Sequence, residues 1–455
     1  MVLNTLMERF EREAPACVMV RALMEAAIQP DELDRRLEAA SESQYTRELL
    51  FSTLVDLMSL TVTKARRSLH AAIRSCRERI PVSTQAVYGK LARTEPGVCR
   101  ELVVFSREKL QAIRQEVAPK ATPLVPGYQT LVVDGNHLTG TEHRLQVVRH
   151  TRAAPLPGQA LVVYQPDTHL IWDVFPYEDA HAQERRIIPQ MIAAALPGQL
   201  YIADRNFCTT GNLLDWHARG AAFLIRRHGS SLCAREISPP RSAGSHNGRR
   251  LSEQTLEVFE EATGRTLIVR QVTIHRAEKN PKLDDIVLLT TLPRRFRAQR
   301  IAQLYLERWT IERAFQDLTD NLGCEIDTLG YPKAALLAFC VALVSANLWA
   351  VCRAAIAQTQ GAKQEQQVST YYLADEWQGT YRGMMIALPP ACWAKFQSLS
   401  APQLARQLLR IAGLIRLPRY TKTPRGPKKP RTQKLSGKVN HHVSVARLLA
   451  AQTRR

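Results

Sequence analysis

Two apolar segments of the chain each end in an aspartate. The run Leu-Val-Val at residues 131–133 precedes Asp134, and the run Tyr-Ile-Ala at residues 201–203 precedes Asp204. An acid directly after a buried strand is costly unless it has a partner or a function. In an open α/β sheet, sites collect where the strands end. The two segments therefore predict an α/β sheet that brings two carboxylates together at one edge.

The surrounding pattern supports a mixed sheet. Apolar runs bounded by Pro, Gly and Asp turns predict strands, and helical periodicity predicts helices between them. The predicted strands are 131–133, 145–148, 161–164, 171–175, 200–203, 222–225 and 286–290, and the predicted helices are 181–195, 211–219 and 297–322. Residues 228–283 interrupt this order, first with Gly, Ser and Pro and then with short β-rich runs. We therefore predict a mixed α/β core with an inserted β-rich subdomain.

The charge of the chain indicates a polyanionic partner. The 455 residues include 62 Lys and Arg against 42 Asp and Glu, which gives a formal net charge of +20. Each phosphate neutralised by Lys or Arg releases condensed counterions and favours binding. Nucleic acid is therefore the first expectation and an anionic membrane surface the second.

Two basic stretches are candidates for that contact. Residues 64–93 combine many cations with a Pro break and a Ser or Thr cap, which outlines a helix-turn-helix. An ordinary basic face on a helical bundle explains this stretch equally well. Residues 416–438 contain nine basic residues, several Pro and Gly and no acid, so they favour phosphate contact over a merely solubilising tail. The candidate DNA contacts in these stretches are Arg66, Arg67, Lys90, Lys428, Lys429 and Arg431.

Cysteine usage and the apolar segments predict a cytoplasmic protein. The nine cysteines are scattered, odd in number and without a C-x-x-C pair, which fits reduced thiols. The N-terminal residues include acids and no long apolar run, so we predict no signal peptide. Residues 334–352 are long enough to span a bilayer, but Ser345 and Asn347 interrupt them, and a buried core helix is the preferred interpretation.

A third acid is predicted to join the two aspartates. On the helix over 297–322, Tyr305, Arg308 and Glu312 stand at positions i, i+3 and i+7 and so share one face. Carboxylate oxygens are hard ligands that suit Mg²⁺ or Mn²⁺, and paired ions of that kind suit an in-line phosphoryl displacement.

Two other features have plainer interpretations. Asp173 lies in the last apolar run before a turn with two further acids, and a solvated turn explains this group best. Trp309 and Trp349 fall on apolar helix positions, so we expect them to be core residues rather than platforms for stacked bases.

The segment from Tyr305 to Glu312 resembles a known signature. Tyr305-x-x-Arg308-x-x-x-Glu312 is similar to the motif of bacterial insertion-sequence transposases of family four, the YREK group of DDE enzymes. The segments that end in Asp134-Gly135 and in Asp204-Arg-Asn-Phe resemble the two aspartate motifs of the same family, in the same order and with a β-rich insertion before the Glu. The resemblance covers roughly residues 128–349.

The resemblance implies a fold and a set of roles. It implies a ribonuclease-H-like core in which Asp134, Asp204 and Glu312 bind the catalytic metal ions, Mg²⁺ or Mn²⁺. Tyr305 and Arg308 would hold phosphates of the transposon end. The family signature closes with a Lys seven residues after the Glu, and this chain has Thr319 there, which removes one expected phosphate contact. Arg205 could contact phosphate or pair with an acid, and the sequence does not decide between the two.

The sequence thus predicts a bacterial cut-and-paste transposase, located in the cytoplasm with the nucleoid. Its expected partner is double-stranded DNA, as transposon ends and target, with no membrane and no small-molecule substrate. The resemblance also implies a second copy of the chain, as a dimer on DNA. The predicted regions are a helical DNA-end-binding region over 1–120, the core over 121–227 and 285–360, the β-rich insertion over 228–284, and a C-terminal region with a basic tail over 361–455. Two alternatives remain open: a metal-dependent nuclease without strand transfer, and an inactive DNA-binding descendant of a transposase.

Overall fold

The computed structural model describes residues 2–43, 48–119, 123–228, 232–276, 285–422, 426 and 442–453. Helices surround one large mixed sheet. The helices are α1 (Val2–Glu13), α2 (Pro15–Ala27), α3 (Pro30–Ala39), α4 (Phe51–Val62), α5 (Leu69–Ser75), α6 (Thr84–Leu91), α7 (Pro96–Val117), α8 (Ile188–Ala193), α9 (Thr210–Ala218), α10 (Ala298–Tyr305), α11 (Trp309–Asn321), α12 (Pro332–Gln360), α13 (Ala362–Glu365), α14 (Thr370–Ala387), α15 (Ala401–Ala412) and α16 (Val445–Thr453).

The strands are β1 (Gln129–His137), β2 (Ala154–Leu156), β3 (Gln159–Gln165), β4 (Leu170–Tyr177), β5 (Gln199–Ala203), β6 (Ala222–Arg226), β7 (Ala234–Glu236), β8 (Arg241–His246), β9 (Arg249–Glu260), β10 (Arg265–Ile274), β11 (Ile286–Thr290) and β12 (His442–Ser444). The strands of the large sheet follow the order β4-β3-β1-β5-β6-β11-β10-β9-β7, and β8 pairs with β9. Strands β2 and β12 pair with each other in a separate two-stranded sheet. Strands β1, β5 and β6 run parallel, and β3, β4 and β11 are antiparallel to their neighbours. The predicted mixed α/β sheet is confirmed.

The β-rich segment continues the central sheet. Strand β10 pairs along its length with β9 and, through Arg270–Ile274, with β11, which in turn pairs with β6. The hydrogen-bond ladder therefore runs without interruption from the parallel strands into the β7–β10 region. This continuity fixes the position of the β-rich strands relative to the parallel strands that carry the aspartates.

Side-chain alternation decides which layer each strand residue meets. Val132 and Ile202 pack into a core shared with α4, α7, α10, α11 and α12, and Leu131 and Tyr201 pack into a second core with α8 and α9. Residues two apart on a strand face the same side. Asp134 therefore faces the same layer as Val132, where α10 and α11 also pack.

The apolar helix α12 lies in the middle of the molecule. It is long and apolar enough to cross a membrane, but 94% of its most apolar 18-residue window is buried inside the protein. The Asn347 amide accepts a hydrogen bond from the backbone N–H of Ile171 at 2.6 Å and donates one to its carbonyl at 3.0 Å, which fixes α12 against β4. The prediction of a buried core helix is confirmed.

Several predicted elements differ from the structure. Residues 146–148 form a 3₁₀ turn where a strand was predicted. The predicted helix 181–195 is reduced to a 3₁₀ turn at 184–186 followed by α8, since Pro189 lies in the first turn of α8 and proline favours a helix start. The predicted helix 297–322 is divided by a 3₁₀ turn at 306–308. Strand β1 continues to His137 because β3 pairs with it that far, so Asp134 lies inside the strand and not after it.

Candidate active site

The parallel pair β1 and β5 brings the two aspartates together. Val132 is aligned with Ile202, and continuing this register by two residues places Asp134 beside Asp204. Asp204 directly follows β5, where its carboxylate accepts a hydrogen bond from the backbone N–H of Asn206 at 2.8 Å. Adjacent strands lie about 4.8 Å apart, so both side chains can reach a common ligand.

Arg308 connects the third acid to this pair. Its Nη1 lies 3.2 Å from Oδ2 of Asp134 and its Nη2 lies 3.0 Å from Oε1 of Glu312. Glu312 is one helical turn after Arg308, as the i, i+4 spacing requires. The guanidinium therefore bridges Asp134 and Glu312, and its Nε is buried with no hydrogen-bond partner among the described residues.

A fourth acid, Glu184, lies beside Asp134 and Asp204 and was not predicted from the sequence. We call Asp134, Asp204, Glu312 and Glu184 the acid cluster. Asn206 donates a hydrogen bond from Nδ2 to Oε2 of Glu184 at 3.3 Å. A Cβ atom added at Gly135 would lie 2.2 Å from Oε1 of Glu184, so the glycine leaves the space that this carboxylate occupies. The sequence contains one signal for this contact, the glycine that directly follows Asp134, but it does not identify the residue that fills the space.

The clustered carboxylates repel one another. Burial raises the pKa of Asp134 to about 6; Arg308 opposes this change, and the charges of Asp204 and Glu184 add to it. Burial likewise raises the pKa of Glu184, with a smaller contribution in the same direction from Asp204. The cluster therefore carries more negative charge than Arg308 offsets, which is the situation that a bound cation relieves.

The donor chemistry fits Mg²⁺ or Mn²⁺. Asp134 on β1 and Asp204, which directly follows β5, offer hard carboxylate oxygens. Burial is the main cause that raises the pKa of Asp134, so a bound cation would favour its charged form. Within the described residues, no three His, Cys, Asp or Glu side chains stand together in a ligand arrangement. Glu312 instead contacts Arg308. Asp204 makes no ion pair among the described residues, and the oxygens of Asp134 and Glu312 would become available to an ion once Arg308 releases them.

Tyr305 and Trp309 differ in how the structure presents them. Tyr305 is buried, and burial raises the pKa of its hydroxyl. Trp309 is 52% exposed, which contradicts the prediction of a core position, because the 3₁₀ turn before it rotates the start of α11. The guanidinium of Arg308 lies 4.9 Å from the centroid of the Trp309 ring. An exposed aromatic ring and a cation therefore stand at the edge of the acid cluster. Trp349 is buried, as predicted.

The structure separates the other predicted DNA contacts. Arg205 and Arg67 are exposed and Arg66 is half-buried. Lys90 is buried, donates its ammonium to the carbonyl of Leu49 and lies 4.2 Å from the centroid of the Phe51 ring. In this conformation Lys90 joins α6 to α4 and is not presented to a duplex, which corrects its prediction as a DNA contact. Residues Lys428, Lys429 and Arg431 lie outside the described residues.

Thr319 occupies the position at which the family signature has a lysine. Thr319 is exposed on α11, and its hydroxyl donates to the carbonyl of Phe315 at 3.1 Å. It lies seven residues after Glu312, so both face the same side of the helix. No cationic side chain occupies position 319, and the expected phosphate contact is absent from this face.

One comparison with known proteins, the match to a family model, bears on this site. Residues 126–348 match the family model of the transposase DDE domain. No curated protein matches the sequence. Among solved structures, the chain is similar to a cryo-EM structure of the piggyBac transposase synaptic complex with hairpin DNA, at 11% identity and a TM-score of 0.41, over 94% of this chain and 90% of that chain. Such a low TM-score supports no conclusion about fold or function. The matched stretch, residues 126–348, contains Asp134, Asp204 and Glu312, so all three acids lie in the region that is similar to a transposase DDE domain.

Proposed function

We propose that the chain is a DNA transposase of the YREK group that nicks the ends of its own mobile element and joins the freed 3′-OH to target DNA. One observation carries the proposal: the parallel register of β1 and β5 brings Asp134 beside Asp204, which directly follows β5, and Arg308 links Asp134 to Glu312. Strands β4, β3, β1, β5 and β6 would form the ribonuclease-H-like core that the resemblance implies.

The carboxylates have defined tasks in this proposal. Asp134 and Asp204 would hold Mg²⁺ or Mn²⁺, with Glu312 as a third ligand. When bound, such ions activate a water or a 3′-OH as the nucleophile and stabilise the oxygen that leaves phosphorus. Hydrolysis and joining then use the same site in turn. No serine or tyrosine nucleophile is needed, since each step is a direct displacement at phosphorus.

Arg308 would change partners when DNA binds. Its guanidinium offers several N–H donors in a fixed geometry that suits phosphate oxygens. In this structure those donors contact Asp134 and Glu312, with Nε free of partners among the described residues. A phosphate of the DNA end would draw Arg308 from the acids, so that DNA binding and completion of the metal site occur together.

The remaining partners follow from the reaction. The substrates would be the two ends of the element and a target duplex, and two copies of the chain would act on the paired ends. The net charge of +20 favours binding to such polyanions. We propose that the enzyme acts in the bacterial cytoplasm, at the nucleoid.

Cleavage and strand transfer on a labelled duplex that carries the element's own end would test this function. Wild type and Glu312→Gln are compared with Mg²⁺ or Mn²⁺. We expect metal-dependent nicking at the end and joining to a target in wild type, both lost in the variant while duplex binding persists. Nicking without joining would indicate a nuclease. Binding without any cleavage would indicate an inactive descendant of a transposase.

A further inference from the structure

A second polar surface lies between the β-rich strands and the start of α10. It is a groove of about 580 Å³. Three arginines line it: Arg241 at the start of β8, and Arg294 and Arg297 in the turn before α10. All three are exposed, and none forms an ion pair with an acid within the part of the chain that the structure describes. We call this surface the arginine groove.

The acid and the fourth arginine in the groove neutralise each other. Glu253 pairs with Arg270 at 2.8 Å, and Arg270 also donates to the carbonyls of Leu292 and Pro293. Arg270 is buried and all its contacts are internal, so it is a structural residue. The groove therefore keeps an excess of three positive charges, and no acid remains free to repel an anion there.

The groove also contains the N-terminus of an eight-residue helix. Helix α10 begins at Ala298, and its N-cap residue Arg297 makes no side-chain capping hydrogen bond. The first N–H groups of a helix lack partners within the helix and attract anions. These donors face the same groove, because Arg297, Ala298 and Gln299 line it.

A buried amide in the groove lacks a partner. Gln254 on β9 is only 7% exposed and lines the groove, and its Oε1 has no hydrogen-bond partner among the described residues. An amide oxygen accepts hydrogen bonds, so water can satisfy it and a phosphate oxygen cannot. Gln254 therefore indicates a hydrated groove, and the three arginines are what would select an anion there.

A side-chain hydrogen bond joins two of the elements that line the groove. Gln299 donates a hydrogen bond from Nε2 to the carbonyl of Ala243 at 2.8 Å, which joins α10 to β8. A Cβ atom at Gly244 would lie 2.4 Å from that amide nitrogen, and Gly244 has a φ of +86°. Only glycine suits both conditions. This contact fixes the position of α10, which follows Arg297, relative to β8, which begins at Arg241.

We propose that the arginine groove binds the phosphodiester backbone of duplex DNA, as a second contact of the duplex that the acid cluster cleaves. The proposal rests on the proposed function for the identity of that duplex. From Arg297 to Arg308 the chain follows α10 and the next 3₁₀ turn, a path of roughly 17 Å at 1.5 Å per residue. Phosphates along a duplex recur within that distance, so one DNA molecule can contact both places.

The test is the salt dependence of binding to a fluorescent duplex of arbitrary sequence, measured by anisotropy without divalent ions over a series of KCl concentrations. The variant is the triple change Arg241→Gln, Arg294→Gln and Arg297→Gln. Each lost phosphate contact lowers the slope of log K against log salt by about 0.9, so we expect a loss of about 2 to 3 and an affinity at least tenfold weaker. The triple change to Lys should retain most of the slope.

A charge-matched control separates a local contact from a general loss of positive charge. Arg144, Arg235 and Arg265 are surface arginines that each pair with an acid. Changing these three to Gln removes the same formal charge and should alter the slope by less than one phosphate contact. Equal losses in both triples would overturn the proposal, as would an unchanged slope in the groove triple. Melting curves verify that each variant is folded.

The outcome can be told apart from failure of the proposed function. End cleavage is assayed separately in wild type. Cleavage by wild type together with an unchanged slope in the groove variant would overturn the groove and leave the transposase intact. A loss of slope in the groove variant with no cleavage by wild type would support the groove as a DNA contact and count against the transposase.

Discussion

The acid cluster and the arginine groove are connected by α10 and the 3₁₀ turn that follows it, and they differ in how their charged side chains are paired. In the acid cluster, the single cation Arg308 is shared by Asp134 and Glu312. In the groove, Arg241, Arg294 and Arg297 have no acid partner among the described residues. In the acid cluster, Arg308 neutralises part of the negative charge and must leave the acids before an ion can bind. In the arginine groove, the positive charges are exposed to solvent. Changes in the first should affect chemistry, metal affinity and stability, and changes in the second should affect binding alone.

Asp134→Asn should give the largest effect and change activity and stability in opposite directions. If Asp134 binds the catalytic ion as proposed, its loss removes several kcal/mol of transition-state stabilisation, so we expect cleavage to fall by roughly a thousandfold or more. The same change removes a charge that the fold disfavours, because the pKa of Asp134 is raised to about 6. Differential scanning fluorimetry of the metal-free variant should show a higher melting temperature than wild type.

The sign and size of the stability effect follow from proton linkage. The folded state binds a proton at Asp134 more tightly than the unfolded chain, so ionisation destabilises the fold. This penalty is absent at pH values below the usual pKa of an aspartate, grows as the pH rises towards 6 and is complete above it, reaching about 3 kcal/mol. The advantage of Asn over Asp should therefore increase across that range. A lower melting temperature for the variant at pH 7 would show that the ion pair with Arg308 outweighs burial.

The sequence predicts the parts of this site that depend on local periodicity or on the pairing of neighbouring strands. Strands β1 and β5 were predicted from their apolar runs, and parallel neighbours necessarily align their ends, so the meeting of Asp134 and Asp204 was accessible. Arg308 and Glu312 were accessible because helical spacing relates them. Local periodicity and simple sheet geometry suffice for these residues.

Contacts between segments that are far apart in the sequence could not be predicted. Asp173 was grouped with the acids of a solvated turn, but it is buried in β4 and accepts two hydrogen bonds from Arg100, at 2.9 and 2.7 Å. Glu184 is on a short 3₁₀ turn with no periodic signal. The arginine groove depends on β8, which a Gly- and Ser-rich run conceals. Each needs the tertiary arrangement, which no local pattern encodes.

Arg308→Gln should have the next largest effect, with opposite signs for metal and DNA. Removing the cation between Asp134 and Glu312 relieves a competitor for their oxygens, so Mn²⁺ affinity measured by calorimetry should rise by about tenfold. Duplex affinity should fall, since a phosphate contact is lost. Arg406→Gln is the control, because Arg406 is exposed on α15 and has no ion pair among the described residues. Weaker Mn²⁺ binding in Arg308→Gln would mean that the guanidinium positions the acids and does not compete with the ion.

Glu184→Gln and Gly135→Ala should each have a smaller effect on the same metal affinity. The first removes a carboxylate charge from the cluster, and the second pushes that carboxylate away, because a Cβ at residue 135 would lie 2.2 Å from Oε1 of Glu184. We expect Mn²⁺ affinity to fall by about threefold to tenfold in both, from a charge lost at an effective dielectric constant near 20. Gly379→Ala is the control, because nothing lies within 4 Å of its added Cβ. The two variants should lose Mn²⁺ affinity to a similar extent. If their Mn²⁺ affinities differ from each other as much as from that of wild type, the charge of Glu184 does not contribute to ion binding.

Thr319→Lys should have the smallest effect and would make the acid site resemble the groove by adding a cation that has no acid partner. Lysine at 319 faces the side of α11 that carries Glu312, roughly 10 Å further along the helix, where a neighbouring phosphate can be reached. We expect the salt slope of duplex binding to increase by about 0.9 and the affinity to rise about threefold. Thr359→Lys is a close control, since Thr359 is also exposed on a helix and donates its hydroxyl to the carbonyl four residues before it, at 2.9 Å. An equal gain in both variants would mean that added charge acts anywhere on this cationic chain. A gain confined to position 319 would mean that DNA passes along the Glu312 face of α11, between the acid cluster and the end of the helix.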